Sequence, residues 1–572
     1  MYASTLGSFF AIGAITVNDK LVRFMPLISV EAIATSLVSF LASAVITAYL
    51  GDWLGFAIAP FAILPLSLLA AAAVWLRLRR HATSDRSSLS AFTLIVLGTF
   101  AWLMWRARPD FLPTGSGPDL AHHLALLAYI EQHWRLVHDA NLGAYLGEMV
   151  DYTPGAHLLA ALAGAWLRSD ALHMLHAVAA LTVALKSGVV FLIARRVMPD
   201  EVPRVPFAVV AAVLLWLPYV FFAGSFMEQS FLPQVVSELF AVAMWWALVV
   251  WDEQPSAGGM ALFALFGTAA FLTWPIWVGP LGLTLAAIVL VHRDVTWTRR
   301  LRDVAIATLP IAVAAAMHGV RHPNGFRIAG TGGFAIWPTP AELGWTFLTL
   351  SAVGVLFSAT QRRARTATLL LAATALQAMA LVVTARHAGA AAPYLALKMF
   401  YLAIYPLTVA IASAAAAVWR VVPGVARGSR RAELMAWTLV GVVAIAVALP
   451  LARRPRLNPV VTQPTFLAAQ WTRARMSSDC VDYLVSDGYT AYWLHLAVFG
   501  NPRASGRALD DDTFMARKGL ARWILPNGLP YAIAGDFDAL PRDIRTNVDV
   551  LARFGPAAVV RRRGAAACHD QQ

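Results

Sequence analysis

The chain has 572 residues, 59% of them apolar and 13% charged, with a formal net charge of +13 and a mean hydropathy of +0.63. Soluble domains carry roughly 25% charged residues, so the composition excludes an ordinary soluble domain and indicates a chain dissolved in a bilayer. Its positive charge does not point to nucleic acid, because the basic residues fall in short clusters between apolar runs, as Arg77, Arg79 and Arg80 do, or Arg362, Arg363 and Arg365; that is the pattern of cytoplasmic loops.

A helix needs about 20 mostly apolar residues to cross the hydrocarbon layer, and within it the backbone must satisfy its own hydrogen bonds. This rule predicts thirteen spans, near 28–50, 54–76, 90–105, 171–194, 205–223, 233–251, 259–274, 276–291, 303–318, 342–359, 367–385, 399–419 and 434–451. The N-terminal stretch lacks a basic n-region and an Ala-x-Ala site, so no cleavable signal peptide is expected. Basic clusters at 77–86, 195–204, 293–302, 362–365 and 420–431 occupy alternate connections, which assigns them to the cytoplasm and the remaining loops to the outer side of a plasma (inner) membrane. The acidic connection Asp252–Gly258 breaks this trend.

Two outer segments are long. The first, 106–170, belongs with the membrane domain 1–452. It contains a helical stripe of Leu124, Leu127, Ala128 and Ile130 beside polar Glu131, Gln132 and Arg135. Its residues 156–168 are apolar but too short to cross, as in a re-entrant or interfacial helix. The second, 453–572, begins with a basic, proline-containing linker and reads as a small α/β domain outside the membrane. VDYLVSD, PYAIAGD and AAVVRR are its expected strands, and TAYWLHLAVFG an expected helix. Cys480 and Cys568 lie within it, where an oxidising compartment would allow a disulfide or leave two thiols. Asp510, Asp511 and Asp512 read as a solvated loop, as do Asp536 and Asp538.

The first outer loop carries the most informative chemistry. It holds Gly117-Pro118-Asp119-Leu120-Ala121-His122-His123 and then Asp151-Tyr152-Thr153-Pro154-Gly155-Ala156-His157. A carboxylate with two imidazoles beside a span suits proton abstraction from a hydroxyl, or a divalent cation held by oxygen and nitrogen. Asp119 as a helix cap is the competing reading. Further on, Lys398 stands one turn from Tyr394 and Tyr401, so the three can share a face; a lysine snorkelling to the interface is the alternative. Arg386 and His387 add charge nearby. The segment Met317–Pro340 offers Arg321, His322, Arg327 and a glycine run for an anion, or serves as a linker. Glu228 lies in a short outer loop as an acceptor-binding or solvated group. Glu238 falls within a span, where a carboxylate is either functional or a hydrogen-bonded structural group.

These motifs resemble those of the GT-C glycosyltransferases, polytopic helical enzymes that use polyprenyl-phosphate-linked sugars. Gly117-Pro118-Asp119 with His122-His123 resembles the acidic element of their first outer loop. Tyr152-Thr153-Pro154-Gly155 is similar to their Tyr-Pro-Pro-Gly-like motif, and Tyr394–Tyr401 to a late motif built on tyrosine and lysine. The resemblance implies that Asp119 is the catalytic base, or supports Mg or Mn, with His122 or His123 assisting. It implies donor-phosphate contacts from Lys398, with Arg386, Arg321 and Arg327 as further cations. Asp151, Tyr152, His157, Glu228 and Tyr394 are then substrate-binding candidates. The acidic position reads Asp-Leu where the family often has Asp-Glu, so metal dependence stays open. The expected partners are a polyprenyl-phosphate sugar, a glycan, lipid or protein acceptor, and the lipid bilayer. A transporter or flippase would gather its polar residues at mid-membrane, and a polysaccharide ligase or polymerase would carry its key arginine and histidine in a late loop such as Met317–Pro340.

Overall fold

The computed structural model describes residues 29–79, 86–114, 118–292, 294–323, 325, 335–390, 392–421, 429–459, 461–476, 480–485, 490–491, 494, 523 and 529–565. Among them, nine helices are long and apolar enough to cross a membrane. They are α1 (Val30–Trp53), α2 (Pro60–Leu78), α3 (Arg86–Arg106), α6 (Ala171–Val197), α8 (Leu232–Glu253), α11 (Trp297–Arg321), α13 (Arg365–His387), α14 (Tyr394–Val421) and α15 (Arg430–Arg453). The other four expected spans fall on shorter apolar helices: α7 (Arg204–Leu214), α9 (Ala257–Phe271), α10 (Val278–Val291) and α12 (Trp345–Thr360). The protein is thus a multi-pass helical membrane protein with a small C-terminal sheet.

Packing grades outward from two helices. α8 and α6 are buried over 94% and 89% of their apolar windows, whereas α2 and α15 are buried over only 11%. The inner pair is covered by other helices, and the outer pair presents Leu68, Leu69, Leu434 and Leu449 outward, as lipid-facing helices do. Close crossings use small residues. On α12 the buried stripe Ser351, Gly354 and Ser358 faces α14, where a Cβ on Gly354 would meet the Ala410 carbonyl carbon at 2.7 Å.

The helix directions divide the molecule into two ends. One end gathers the basic connections. The acidic Asp252–Gly258 connection lies there too, because Asp252 pairs with Arg365, and Glu253 with Arg196. Its acids are counter-charges of the arginine clusters, which is the physical reason for the break in the alternation. The opposite end carries the long loop, with α4 (Pro118–His133) and α5 (Gly155–Leu167). α5 has 13 residues, packs against α6 and ends at Arg168 in the left-handed conformation.

After α15 the chain runs along this loop end. Arg106 donates to the carbonyls of Arg454 (2.8 Å) and Pro455, and Thr114 bridges to Pro459. α16 (Gln463–Arg473) then packs on a sheet of β1 (Val481–Leu484), β2 (Tyr531–Ala534), β3 (Val548–Phe554) and β4 (Ala557–Arg562). The order is β1-β2-β4-β3, with β1 parallel to β2 and the other pairs antiparallel. Three of these strands were expected and β3 was not. Cys480, just before β1, is disulfide-bonded; Cys568, the only other cysteine in the sequence, lies outside the described residues. So do Asp510, Asp511 and Asp512, and most of TAYWLHLAVFG.

Candidate active site

α4 opens with proline, whose fixed φ suits a first helical position. Asp119 follows within the first turn, where the exposed amides and the helix dipole favour a carboxylate; its side chain lies outside the described residues. One turn on, His122 is half-buried and His123 fully buried.

The second motif reaches His123 through a tight backbone junction. Thr153 Oγ1 donates to the Thr273 carbonyl at 2.9 Å, and the Gly155 amide to the Leu272 carbonyl at 2.9 Å. A Cβ on Gly155 would meet that same carbonyl at 2.9 Å and would clash with Thr273 Oγ1. Glycine is therefore required by close approach of the turn after α9. This junction starts α5 and delivers His157 Nε2 to 3.2 Å from His123 Nδ1. The Tyr152 ring closes the cluster edge-on, 5.3 Å from His123 and 6.1 Å from His157, with Trp274 at 5.8 Å behind it.

Burial is what sets the charge of this pair. It pushes His157 down to about 3 and His123 well below its ordinary value; for His123 the nearby imidazoles of His157 and His122 and the Lys398 ammonium further disfavour a second positive charge. Both rings are neutral near pH 7. One ring N–H is then shared across the contact, and a nitrogen of His123 remains to orient a neighbour rather than to carry charge.

Lys398 is the cation that acts on His123 from across the fold. Its side chain is 1% exposed, so it does not snorkel to water. Its ammonium lies over the Phe231 ring and stands 5.1 Å from the Tyr394 ring and 5.3 Å from the Tyr401 ring. The shared face of Tyr394, Lys398 and Tyr401 expected from helical spacing is thus present. An aromatic box of this kind holds an ammonium by attraction to the ring faces.

Other candidates flank this centre. Asp151 stands 3.5 Å from His322 Nδ1, and burial holds His322 below its ordinary range despite that carboxylate. Arg321 donates to Asp52 at 3.1 Å and to the Trp53 carbonyl at 2.6 Å. Asp52 is 1% exposed and also accepts from the Leu136 amide and His138, so this pair ties α1, α11 and the outer loop together. Glu228 pairs with Arg454 of the linker at 2.9 Å. Arg386 is exposed at the end of α13 and makes no side-chain hydrogen bond or ion pair with these groups among the described residues. Arg327 lies outside the described residues.

Two charged groups were not anticipated from sequence. Asp52 is one. The other is Lys186, which pairs with Glu238 in the membrane interior; Tyr405 (2.5 Å) and Gln234 (3.1 Å) also donate to Glu238. A lone lysine in one apolar run and a lone glutamate in another was the available signal. Among the described residues no group of three or more His, Cys, Asp or Glu side chains is placed to hold a metal.

No family model matches the chain, and no curated protein matches it. Its overall layout is similar to ArnT from Cupriavidus metallidurans in the apo state, at 16% identity over 82% of this chain and 97% of that one, with a TM-score of 0.45. It is also similar to the oligosaccharyltransferase AglB from Archaeoglobus fulgidus in complex with an inhibitory peptide and a dolichol-phosphate, at 12% identity over 79% of this chain and 70% of that one, with a TM-score of 0.41. The apo form of an oligosaccharyltransferase from the same organism is similar at 13% identity over 79% and 70% of the two chains, with a TM-score of 0.43. At these values the similarity assigns no residue its role.

Proposed function

We propose that this chain is a membrane glycosyltransferase of the GT-C type, which transfers a sugar from a polyprenyl phosphate to a cell-envelope glycan, lipid or protein. The observation that supports the reading is the electrostatic influence of Lys398 on His123, one turn into the helix that opens with Pro118 and Asp119. Segments far apart in sequence bring a buried ammonium within electrostatic reach of His123, one turn along from the carboxylate-bearing residue. The active end is the loop end, read as extracytoplasmic because the arginine clusters occupy the other.

In the proposed step an acceptor hydroxyl gives its proton to the Asp119 carboxylate. Its oxygen bonds to the sugar's anomeric carbon. The bond from that carbon to the phosphate oxygen breaks, and the electron pair leaves on the lipid phosphate, which Lys398 stabilises. Such stabilisation of developing charge in a water-poor site is a large catalytic term. The neutral His123–His157 pair holds α4 against α5 and keeps the carboxylate's helix in place. Tyr152 and Tyr394 wall the site.

The test is transfer by purified protein in lipid from a panel of polyprenyl-phosphate sugars, with and without EDTA. Asp119→Asn and Lys398→Gln should each lower kcat by about 10²–10³, the loss typical of removing a group that acts in the transition state. Undiminished transfer in a folded Asp119→Asn would remove the base from the scheme. Absence of transfer from every donor would remove the reading itself and leave transport to be assayed.

A further inference from the structure

A large cavity lies at the arginine-rich end, away from Lys398 and the His123–His157 pair. Its volume is about 670 Å³, between the start of α1, the ends of α6 and α8, and the start of α13. Six arginines and four carboxylates line it, an excess of two positive charges. The carboxylates are already engaged. Glu31 and Glu253 both receive Arg196, Asp252 receives Arg365, and Asp200 receives Arg363 and Arg204. Arg195 and Arg362 remain, with no carboxylate partner among the described residues. Arg204 meanwhile lies under the repulsion of Arg363, Arg195 and Arg196.

A second, independent feature lies in the cavity wall. Thr366, on the first turn of α13, lines the same cavity. It is 1% exposed, and its hydroxyl has no hydrogen-bond partner. Buried hydroxyls are rarely left unsatisfied without a reason. Two uncommitted guanidiniums and an unsatisfied donor in one cavity form a receptor for a tetrahedral oxyanion, since a guanidinium fork matches phosphate oxygens.

We propose that this cavity binds the phosphate headgroup of an anionic phospholipid. Inorganic phosphate shares the chemistry, but two observations favour the lipid. The volume suits a headgroup with its glycerol rather than a bare ion, being in the range of organic-ligand pockets. The cavity also stands at the membrane end of α13, a helix buried over only 28% of its apolar window, so acyl chains can lie along it. Basic pockets between helices at this membrane level are suited to such lipids.

The experiment uses the full chain, released from nanodiscs of phosphatidylcholine with and without phosphatidylglycerol, with retained lipid counted by native mass spectrometry. Wild type should keep phosphatidylglycerol in preference to phosphatidylcholine. The Arg195→Gln/Arg362→Gln double variant, which breaks no ion pair described here, should lose that preference by about tenfold or more, and Thr366→Val should weaken it. A thermal shift of wild type on adding phosphatidylglycerol gives a reading that needs no variant. Equal retention of the two lipids by wild type would overturn the proposal. So would unchanged retention in a folded double variant, or displacement of the lipid by millimolar inorganic phosphate.

Discussion

At the scale of single residues, the His123–His157 contact makes acid stability a readable quantity. The unfolded chain binds protons on these imidazoles near their ordinary value of 6.5, whereas burial holds His157 near 3 in the fold. Below about pH 6.5 the unfolded state therefore takes up more protons and stability falls as pH is lowered; above it the contribution is level. The His157 ring should cost about 2 kcal/mol by pH 5, at about 1.4 kcal/mol per pH unit, and His123 acts in the same direction. Melting temperatures at pH 7.5 and pH 5 should differ accordingly, and His157→Asn should shrink the difference. An unchanged difference would show that this imidazole is not the buried neutral group described. Lys398 belongs at this scale too, because its spacing from two tyrosines was visible in the sequence while Phe231 was not. That ring arrives from another segment, and no local pattern announces it.

At the scale of elements, the interior of the bundle is held by a polar junction as well as by packing. α6, α8 and α14 meet at Lys186, Glu238 and Tyr405, and both charged side chains are fully buried. Removing one member strands the other in a medium that does not solvate charge. Glu238→Ala alone should therefore cost about 3–5 kcal/mol, while the apolar pair Lys186→Met/Glu238→Leu should recover most of that loss. Thermal unfolding in detergent, run as a double-mutant cycle, measures the coupling directly. The span positions were legible because hydropathy over a window reports on the solvent of a whole helix. Glu238 was recognisable as an intramembrane acid, yet its partner was not, since the register between two helices is a tertiary fact. β3 was missed for the opposite reason. It is an edge strand, bulged between Val550 and Ala552, whose Asp549 and Arg553 are both exposed, so it shows no clean alternation and its pattern resembles a solvated loop.

At the scale of the whole molecule, the segment leading to the C-terminal sheet is fastened to the end of the molecule that carries the candidate site. Arg106, only 4% exposed, donates to two successive linker carbonyls, and Arg454 lies 3.8 Å over the Tyr219 ring while pairing with Glu228. His173, beside the N-cap of α6, bonds Gln463 of α16 at 2.9 Å. Arg106→Ala should free the linker, and limited proteolysis should then cut between Arg453 and Val461 several-fold faster than in wild type, without loss of the helical signal. Equal cutting rates would mean that the ring contact and Glu228 suffice. The sequence marked this segment as a basic linker. Its attachment depends on carbonyl acceptors, which every residue type supplies and no composition reveals.

The strand order carries a consequence for how the protein is made. β4 occupies an inner position, between β2 and β3, although it follows both in the chain. Until residues 557–562 emerge, β2 and β3 have no common partner and the sheet has no centre. The described helices α1–α16 all precede these residues in the chain, so the sheet is completed only after they have been synthesised. During that interval the unpaired edges of β2 and β3 are open to non-native strand pairing.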